Sequence, residues 1–347
     1  MIDKKIEIVS SKTKDFSSMS NPSRQAIYEL LKEYYLDIKI SLIDSINDLD
    51  NLIKRKPDLV FLGMEFLPKN HKLGIRCPNK IWLSEHLDEN NIAYTGSTKE
   101  AHIAERYKDI AKLQIQNAGL KTSPYFLAVQ NVPIINSKLI TYPLFVKPND
   151  RGGGIGIDSQ SVVYNFKELQ NKINHIAKTY QADSLVEQYL PGREFSVAIL
   201  KSNSTNSYDA MPIEIIAEQN INGQRILGED AKKADKEKVM LVPGTLLNSK
   251  LSTLALKSFV ALGGRDYGRI DIRLDNNGQP NFLEANLIPS LIKDYGNFPK
   301  ACKLHLNLSY QQMIMQIIGL GLKRSTKKIP HNKYGADNKA TLLPSLT

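Results

Sequence analysis

The feature that most constrains the fold is a predicted hairpin in residues 266–289, D-Y-G-R-I-D-I-R-L-D-N-N-G-Q-P-N-F-L-E-A-N-L-I-P. In its first run the polar residues alternate with Ile and Leu, so a strand would place Arg269 and Asp271 on one face. Residues 275–280, rich in Asn and Gly, are typical of a turn between antiparallel strands. The sequence therefore predicts two adjacent strands with charged side chains along one face.

The second run of this hairpin brings further polar side chains. A returning strand would place Phe282, Glu284 and Asn286 on one face. With Asp271 these residues supply three converging oxygen donors, which suit Mg2+ because this ion prefers hard oxygen ligands and shares its remaining positions with water and phosphate. An exposed hairpin whose charges only face water is the alternative, and the rest of the chain decides between the two.

The composition indicates a soluble protein with more than one compact unit. The chain has 347 residues, 41% of them hydrophobic and 24% charged, which is enough for two or three cores. It contains no run of about 18 apolar residues, so no membrane-spanning helix is expected. Its first residues lead into charged sequence and not into the apolar part of a signal peptide. Cys77 and Cys302 lie far apart and form neither a disulfide framework nor a metal knuckle, so we expect a cytoplasmic protein.

The net charge of +10 favours anionic ligands without choosing among them. Part of the excess lies in K-R-S-T-K-K at residues 323–328, the beginning of a basic tail that is expected to lack fixed structure. Aromatic and basic residues are not interleaved in a base-stacking pattern. A nucleic-acid partner is therefore not expected.

Periodicity and turn residues predict an α/β protein. Alternation in the first hundred residues is typical of an open α/β domain. The predicted strands are residues 6–10, 38–43, 59–63 (buried and parallel), 144–147 and 185–190, and the predicted helices are residues 23–35, 100–117 and 166–178.

A glycine loop follows the strand that ends at Lys147. Residues 147–156 read K-P-N-D-R-G-G-G-I-G, in which glycines allow backbone amides to approach phosphate oxygens and the lysine supplies a point charge. The spacing matches neither the Walker A pattern nor the G-x-G-x-x-G of dinucleotide sites. Phosphate binding and a simple tight turn are equally compatible with the loop alone.

The segment L-V-E-Q-Y-L-P-G-R-E-F at residues 185–195 predicts a nucleotide slot. An apolar strand ending in residues 187–190 offers backbone groups and a carboxylate to an adenine, and Glu194 after the turn offers a carboxylate to ribose hydroxyls. An ordinary hairpin with exposed glutamates is the alternative. The position of the segment, after a lysine and glycine loop and before an acidic hairpin, favours the nucleotide slot.

These segments, in this order, resemble the ATP-grasp superfamily and, within it, the D-alanine:D-alanine ligase family, over residues 92–323. The resemblance implies a three-domain ATP-grasp fold, α/β at the start and α+β in the C-terminal half. The implied divisions are an N-terminal domain (1–97), a central domain (98–184), a C-terminal domain (185–323) and a basic tail (324–347).

The resemblance also implies the site residues and a cofactor set of ATP with two Mg2+ ions, for which Mn2+ is a substitute. The implied catalytic residues are Arg269, Ser290 and, on a mobile loop, Lys232. The implied metal ligands are Asp271, Glu284 and Asn286. The implied nucleotide-binding residues are Lys108, Lys147, Gly152, Gly153, Gly154, Gly156, Glu187, Gln188, Tyr189, Leu190, Glu194 and Leu283.

The chemistry implied by the resemblance is amide formation in two steps. A substrate carboxylate attacks the γ-phosphate of ATP to give an acyl phosphate, and an amine then attacks the acyl carbon. Such an enzyme acts on amino acids or small peptides without a protein nucleophile, and related ligases are commonly homodimers.

The sequence departs from the family where the family binds its amino acids. Ser17 stands where an ungapped comparison places the glutamate that holds the first substrate's amine, and G-M-E-F-L-P at residues 63–68 replaces another conserved segment. Gly153 and Lys233 stand in place of the serine and the tyrosine that join that glutamate in closing the family's site. Because lost hydrogen-bond partners change discrimination by orders of magnitude, we expect a substrate other than D-alanine.

Two alternatives stay open from the sequence. One is a D-alanine:D-alanine ligase of divergent sequence that serves cell-wall synthesis. The other is a noncatalytic nucleotide-binding regulator, against which the retention of Arg269, Asp271, Glu284 and Asn286 argues, because ATP binding alone has less need of the full set.

Overall fold

A three-stranded parallel sheet forms the N-terminal part of the computed structural model, which describes residues 1–133, 141–205, 207–220, 222–228, 237–242 and 244–325. Its strands, in the order β2-β1-β3, are β1 (Ile2–Ser10), β2 (Tyr35–Leu42) and β3 (Leu59–Leu62). Helices α1 (Asn21–Leu31), α2 (Ile46–Arg55) and α3 (Leu83–Glu89) accompany the sheet, with an antiparallel pair, β4 (Phe66–Pro68) and β5 (Lys80–Trp82), and two 3-10 segments, Lys14–Phe16 and His71–Arg76.

The open α/β arrangement and the buried parallel strand at residues 59–63 are confirmed. β3 pairs with β1 in parallel, and its four residues are all buried. The predicted helix 23–35 is too long, because α1 ends at Leu31 and Tyr35 already begins β2.

The single helix predicted over residues 100–117 is wrong. The structure has two helices there, α4 (Lys99–Arg106) and α5 (Lys108–Asn117), separated at Tyr107 by extended backbone with φ −102° and ψ 101°. The first amides of α5 bond to a residue outside the helix. The N–H group of Lys108 donates to the backbone oxygen of Asn149, and that of Asp109 donates to the side-chain oxygen of Asn149. The break turns the start of α5 toward the glycine loop.

A four-stranded antiparallel sheet follows, in the order β6-β9-β7-β8. Its strands are β6 (Tyr125–Ala128), β7 (Leu144–Pro148), β8 (Val162–Val163) and β9 (Ser184–Gln188). Helix α6 (Phe166–Tyr180) is capped by Asn165, whose side chain accepts from the Glu168 amide, and it buries Leu169, Ile173 and Ile176 against this sheet.

The third sheet has five antiparallel strands in the order β12-β11-β10-β13-β14. They are β10 (Glu194–Lys201), β11 (Tyr208–Ile216), β12 (Lys238–Leu241), β13 (Tyr267–Leu274) and β14 (Pro280–Asn286). The helices that the structure describes in this region are α7 (Thr245–Ala261), α8 (Asn297–Leu306) and α9 (Tyr310–Ser325).

The two faces of the third sheet enter different cores. Phe259 of α7 packs with Ile270 on one face, whereas Ile317 of α9 belongs to a core that contains both Ile213 of β11 and Phe61 of β3. The first and third sheets are therefore held together by shared apolar burial. Arg324, at the end of α9, adds an ion pair of 2.6 Å with Asp266. Residues 323–325, the start of the predicted tail, do have fixed structure, because they form the end of α9. Residues 326–347 lie outside the described residues, and the predicted domain boundaries stay a prediction.

None of the helices that the structure describes combines the length and the apolar character that crossing a membrane demands.

Candidate active site

The predicted hairpin is present as β13 and β14, and its register brings the acidic side chains together. Asp271 lies directly opposite Glu284, and Arg269 lies opposite Asn286. On the other side of β13, Ser196 of β10 is the partner of Asp271. Three adjacent strands therefore contribute to one cluster, because directly opposed residues of antiparallel strands have neighbouring side chains.

The prediction that Phe282 shares a face with Glu284 and Asn286 is wrong. The register shifts between the pairs Asp271–Glu284 and Ile272–Phe282, so Leu283 is an extra residue in β14. This β-bulge reverses the alternation, because one inserted residue moves the following side chains to the opposite face. Phe282 enters the apolar core beside α7, whereas Leu283 and Glu284 both line a cavity.

Asp271 is held by four hydrogen bonds. Arg269 donates to both carboxylate oxygens at 2.9 and 3.0 Å, Ser196 Oγ donates at 2.8 Å and Asn286 Nδ2 donates at 3.1 Å. Burial alone would lower the pKa of Arg269, but the Asp271 carboxylate more than offsets this and raises it. The orientation of the carboxylate is fixed from both neighbouring strands.

The donor set of this cluster fits a hard divalent cation. In the part of the chain that the structure describes, no group of three or more His, Cys, Asp and Glu residues forms a complete metal cage. The set is two carboxylates, Asp271 and Glu284, and the Asn286 amide, whose oxygen would have to turn inward. Mg2+ is bound in proteins by few carboxylates while it keeps water and phosphate oxygens, so these residues suit Mg2+ or Mn2+.

Lys108 connects this cluster to the glycine loop. Its Nζ lies 3.8 Å from Glu284 Oε2 and donates to the backbone oxygen of Arg151. Burial lowers the pKa of Lys108, and the Glu284 carboxylate opposes that effect. Lys108, which the resemblance implies as a nucleotide-binding lysine, therefore lies beside Glu284 of the acidic pair.

A buried ion triad lies beside Lys108. Glu187 Oε1 is 2.8 Å from Lys147 Nζ, and Glu187 Oε2 is 2.8 Å from Lys112 Nζ. Although burial would raise the pKa of Glu187, the two ammonium groups lower it to about 2. Burial lowers the pKa of Lys112, whereas Glu187 outweighs the same effect at Lys147 and raises its pKa.

Lys112 was missed by the sequence reasoning. A helical spacing of four residues puts it on the same face of α5 as Lys108, and its side chain is completely buried. The spacing of one helical turn between Lys108 and Lys112 was the sequence signal that would have identified Lys112 as a further residue of the site.

The four loop glycines are not equivalent. Gly152 and Gly153 line a large cleft, and Gly154 lines a smaller cavity. Gly156 lines neither: a Cβ at this position, where φ is +76°, would lie 2.6 Å from Cγ of Pro148. Close packing thus accounts for this glycine.

Gly156→Ala is expected to lower the free energy of unfolding by about 2–4 kcal/mol, because left-handed backbone strain and a forced contact add. Gly119→Ala is the matched control, since Gly119 has φ +69° and open space around its Cβ position. Gly119→Ala should lower the free energy of unfolding by only about 1 kcal/mol. Denaturant melts of both variants measure the difference, and equal losses would contradict the packing role.

The smaller cavity has the character of a nucleotide slot. Its apolar wall consists of Phe145, Ile157, Leu190, Ile226, Leu227 and Leu283. The rings of Phe145 and Tyr189 are stacked with centroids 6.5 Å apart, and Gln188 Nε2 donates to the Pro143 oxygen at 3.0 Å. Lys147, Glu187 and Glu194 also line it. An apolar slot with a few polar groups is typical of cofactor sites.

The larger cleft, of about 1190 Å3, adjoins this slot. The two share Glu194, Asp271 and Glu284 in their walls. Of the predicted residues, the cleft contains Lys108, Gly152, Gly153, Glu194, Arg269, Asp271, Glu284, Asn286 and Ser290. Lys232 and Lys233 lie outside the described residues.

The cleft also contains an ion pair that the sequence reasoning missed. Arg106, at the break before α5, donates from Nε to Glu65 Oε2 at 2.9 Å, and its guanidinium lies over the Phe66 ring at 4.9 Å. The G-M-E-F-L-P segment that departs from the family thus supplies both the carboxylate and the ring that position Arg106.

Comparison with known proteins gives several matches. A family model described as D-ala D-ala ligase C-terminus matches residues 108–319. The D-alanine–D-alanine ligase of Hydrogenovibrio crunogenus is 29% identical over 241 residues, 68% of this chain and 72% of that protein. The uncharacterised protein y4sG of Sinorhizobium fredii is 28% identical over 209 residues, 59% of this chain and 60% of that protein.

Solved structures are similar in fold. The D-alanine–D-alanine ligase of Bacillus anthracis complexed with ATP has a TM-score of 0.71, covers 93% of this chain and 98% of its own, and is 19% identical. The D-alanine–D-alanine ligase of Coxiella burnetii has a TM-score of 0.65, covers 93% and 95%, and is 16% identical.

Proposed function

We propose a function from one premise: the chain belongs to the D-ala D-ala ligase C-terminus family, whose model matches residues 108–319. It has the three-domain ATP-grasp fold and is an ATP-dependent ligase that forms a carbon–nitrogen bond. The finer proposal is a carboxylate–amine ligase that joins amino acids or small peptides through an acyl phosphate, with Mg2+ as the cofactor.

One observation carries this proposal. Asp271 and Glu284 face each other across β13 and β14 at the point where the slot lined by Lys147 and Glu187 meets the large cleft. A nucleotide whose base lies in the slot would direct its phosphates toward this carboxylate pair. A second substrate in the cleft would then meet the terminal phosphate, so the geometry suits phosphoryl transfer.

In the first step, a carboxylate oxygen of the substrate attacks the γ-phosphorus of ATP, the bond to the β-phosphate oxygen breaks, and ADP leaves. Lys108 and Lys147 provide positive charge along the phosphate path, and Asp271, Glu284 and Asn286 would hold the metal. A bound Mg2+ supplies charge neutralisation at the phosphate oxygens. The protein contributes position and electrostatic stabilisation, and no side chain forms a covalent bond.

In the second step, an amine attacks the acyl carbon and inorganic phosphate leaves with the electron pair of the C–O bond. Negative charge develops on the acyl oxygen, and we assign its stabilisation to Arg269, which lines the cleft beside Asp271. Its guanidinium already bonds both oxygens of Asp271, so its position is set before substrate binds. We place Ser290, which lines the same cleft, near the acyl group.

We propose substrates other than D-alanine. The support is the replacement of the family's amine-binding glutamate by Ser17, in a wall that also contains the Glu65–Arg106 pair. The names of the relatives favour D-alanine as the second candidate. A noncatalytic nucleotide-binding role is the third, and the retained cluster around Asp271 argues against it.

A substrate panel tests this function. A carboxylate and an amine other than D-alanine should stimulate ADP release at least tenfold above the rate with D-alanine alone. The reason is that a substrate whose polar binding partners are missing loses at least this factor in rate. A coupled assay of ADP and phosphate across D- and L-amino acids and dipeptides measures it. Turnover with D-alanine alone would establish the D-alanine ligase. The absence of ADP release with every pair of substrates would establish the noncatalytic nucleotide-binding role.

A further inference from the structure

One wall of the large cleft is strongly basic. It is formed by the segment after β1, the first turn of α1 and the 3-10 segment His71–Arg76. Five lysines and arginines from these segments line it, namely Lys12, Lys14, Arg24, Lys72 and Arg76.

The carboxylates of this wall do not balance that charge. Asp15 and Glu65 line it, but Glu65 is already paired with Arg106 and also accepts from Ser18 Oγ at 3.0 Å. The basic wall (Lys12, Lys14, Arg24, Lys72 and Arg76) therefore keeps a positive charge toward the cleft. Anions are attracted to such a wall more strongly inside a cleft than on an open surface.

Arg24 is the half-buried member of the basic wall. It donates to two neutral oxygens, Ser10 Oγ at 2.9 Å and Asn21 Oδ1 at 2.7 Å. Among the described residues no carboxylate lies within ion-pair distance of its guanidinium. Asp44 is the nearby acid, and it accepts from the Ser11 hydroxyl and the Lys12 amide. A guanidinium has five N–H donors, so Arg24 retains donors for a ligand.

Hydroxyl groups surround this guanidinium. Ser10 Oγ and Ser17 Oγ are 2.6 Å apart, and Ser17 also donates to the Met19 oxygen at 2.6 Å. Ser17 and Ser20 both line the cleft. The hydroxyl protons of Ser10 and Ser17 are used within this group, so the pair fixes the guanidinium through Ser10 Oγ. The free N–H groups of Arg24 remain to bind a carboxylate or a phosphate, because charge-assisted hydrogen bonds are the strong ones. An ammonium group at the same place would be repelled.

We infer that the substrate bound against the basic wall carries an anionic group, a carboxylate or a phosphate, in addition to the carboxylate that is activated. This rests on the proposed function, since the cleft is the same one. Arg24 binds the additional anionic group through its remaining N–H donors, the Ser10–Ser17 hydroxyl pair holds the guanidinium in place, and the lysines at the rim attract the substrate. The cleft therefore selects a diacid or a phosphorylated acid over an amino acid with a neutral side chain.

Matched probes test this selectivity. Glutamate is compared with glutamine, and O-phosphoserine with serine, in both enantiomers; the two pairs distinguish a carboxylate from a phosphate. Calorimetric titration in the presence of ADP and Mg2+ measures binding, and ADP release from ATP with hydroxylamine as the amine measures activation. One anionic probe should bind on the order of 10–100 times more tightly than its neutral partner.

Arg24→Gln should abolish this preference, Arg24→Lys should keep part of it, and Lys167→Gln, an exposed cation outside the cleft, should leave it unchanged. Ser17→Glu places a carboxylate beside Ser10 and should make the neutral probe the better ligand, which provides a second test if Arg24→Gln does not fold. Equal binding of charged and neutral probes, or an unchanged preference in Arg24→Gln and Ser17→Glu, overturns the inference. An anion preference without any ADP release supports the inference and refutes the proposed function.

Discussion

Asp271→Asn is expected to reduce kcat/KM for ATP-dependent amide formation on the order of 1000-fold. The substitution removes the charge that would bind the metal and also the carboxylate that holds Arg269 through two hydrogen bonds. Glu284→Gln should reduce it on the order of 100-fold, because Asp271 and Arg269 stay paired while one metal ligand is weakened. Steady-state assays at several Mg2+ concentrations measure both effects.

The matched control is Asp275→Asn, which makes the same chemical change on the same hairpin. Asp275 pairs with Lys121 in the turn and lies outside both cavities. Its variant should keep kcat/KM within about twofold, with only a modest loss of stability. Mn2+ binding followed by electron paramagnetic resonance gives a readout independent of turnover and should be weakened in Asp271→Asn alone of these two variants. If Asp271→Asn keeps more than a tenth of the activity, the proposed metal and arginine roles are wrong.

Glu187→Gln is expected to produce the largest loss of stability among single changes of the site, about 3–5 kcal/mol, because it leaves two buried ammonium groups without their counter-ion. Denaturant unfolding and thermal melting measure this loss. Adding Lys112→Met to Glu187→Gln should recover part of it, since one of the two unpaired charges is removed. The control is Glu85→Gln, which breaks a partly exposed ion pair with Lys99 and should lower the free energy of unfolding by less than about 1 kcal/mol.

The contribution of Glu187 should also depend on pH in a defined direction. The folded protein lowers the pKa of Glu187 from 4.5 to about 2, so the stabilisation is fully present above the unfolded pKa and is lost as the pH falls through the folded pKa. The stability difference between the parent and Glu187→Gln should be constant above about pH 5 and decrease between pH 4.5 and 2. A difference that grew on acidification would contradict the triad.

The sequence predicted the order of the site's parts better than their local shape. Alternation located the Asp271 and Glu284 strands, but it could not detect the bulge at Leu283, because an inserted residue leaves no mark in a period-two pattern. The helix over residues 100–117 looked continuous because Tyr107 is compatible with a helix. The break depends on Asn149, which is distant in sequence and binds the first amides of α5.

The sequence by itself determined which strands carry the acidic pair, which loop carries the glycines and, through the order of these segments, which family they resemble. The strands and the loop are local patterns in which residue type and spacing follow directly from backbone geometry. Only the tertiary structure decided which charges meet. Lys112 joins Glu187 to become part of a buried triad, whereas Arg24 bonds Ser10 and Asn21 and faces the cleft with donors to spare. Partners that come from distant segments depend on how the sheets pack together, which no local pattern records.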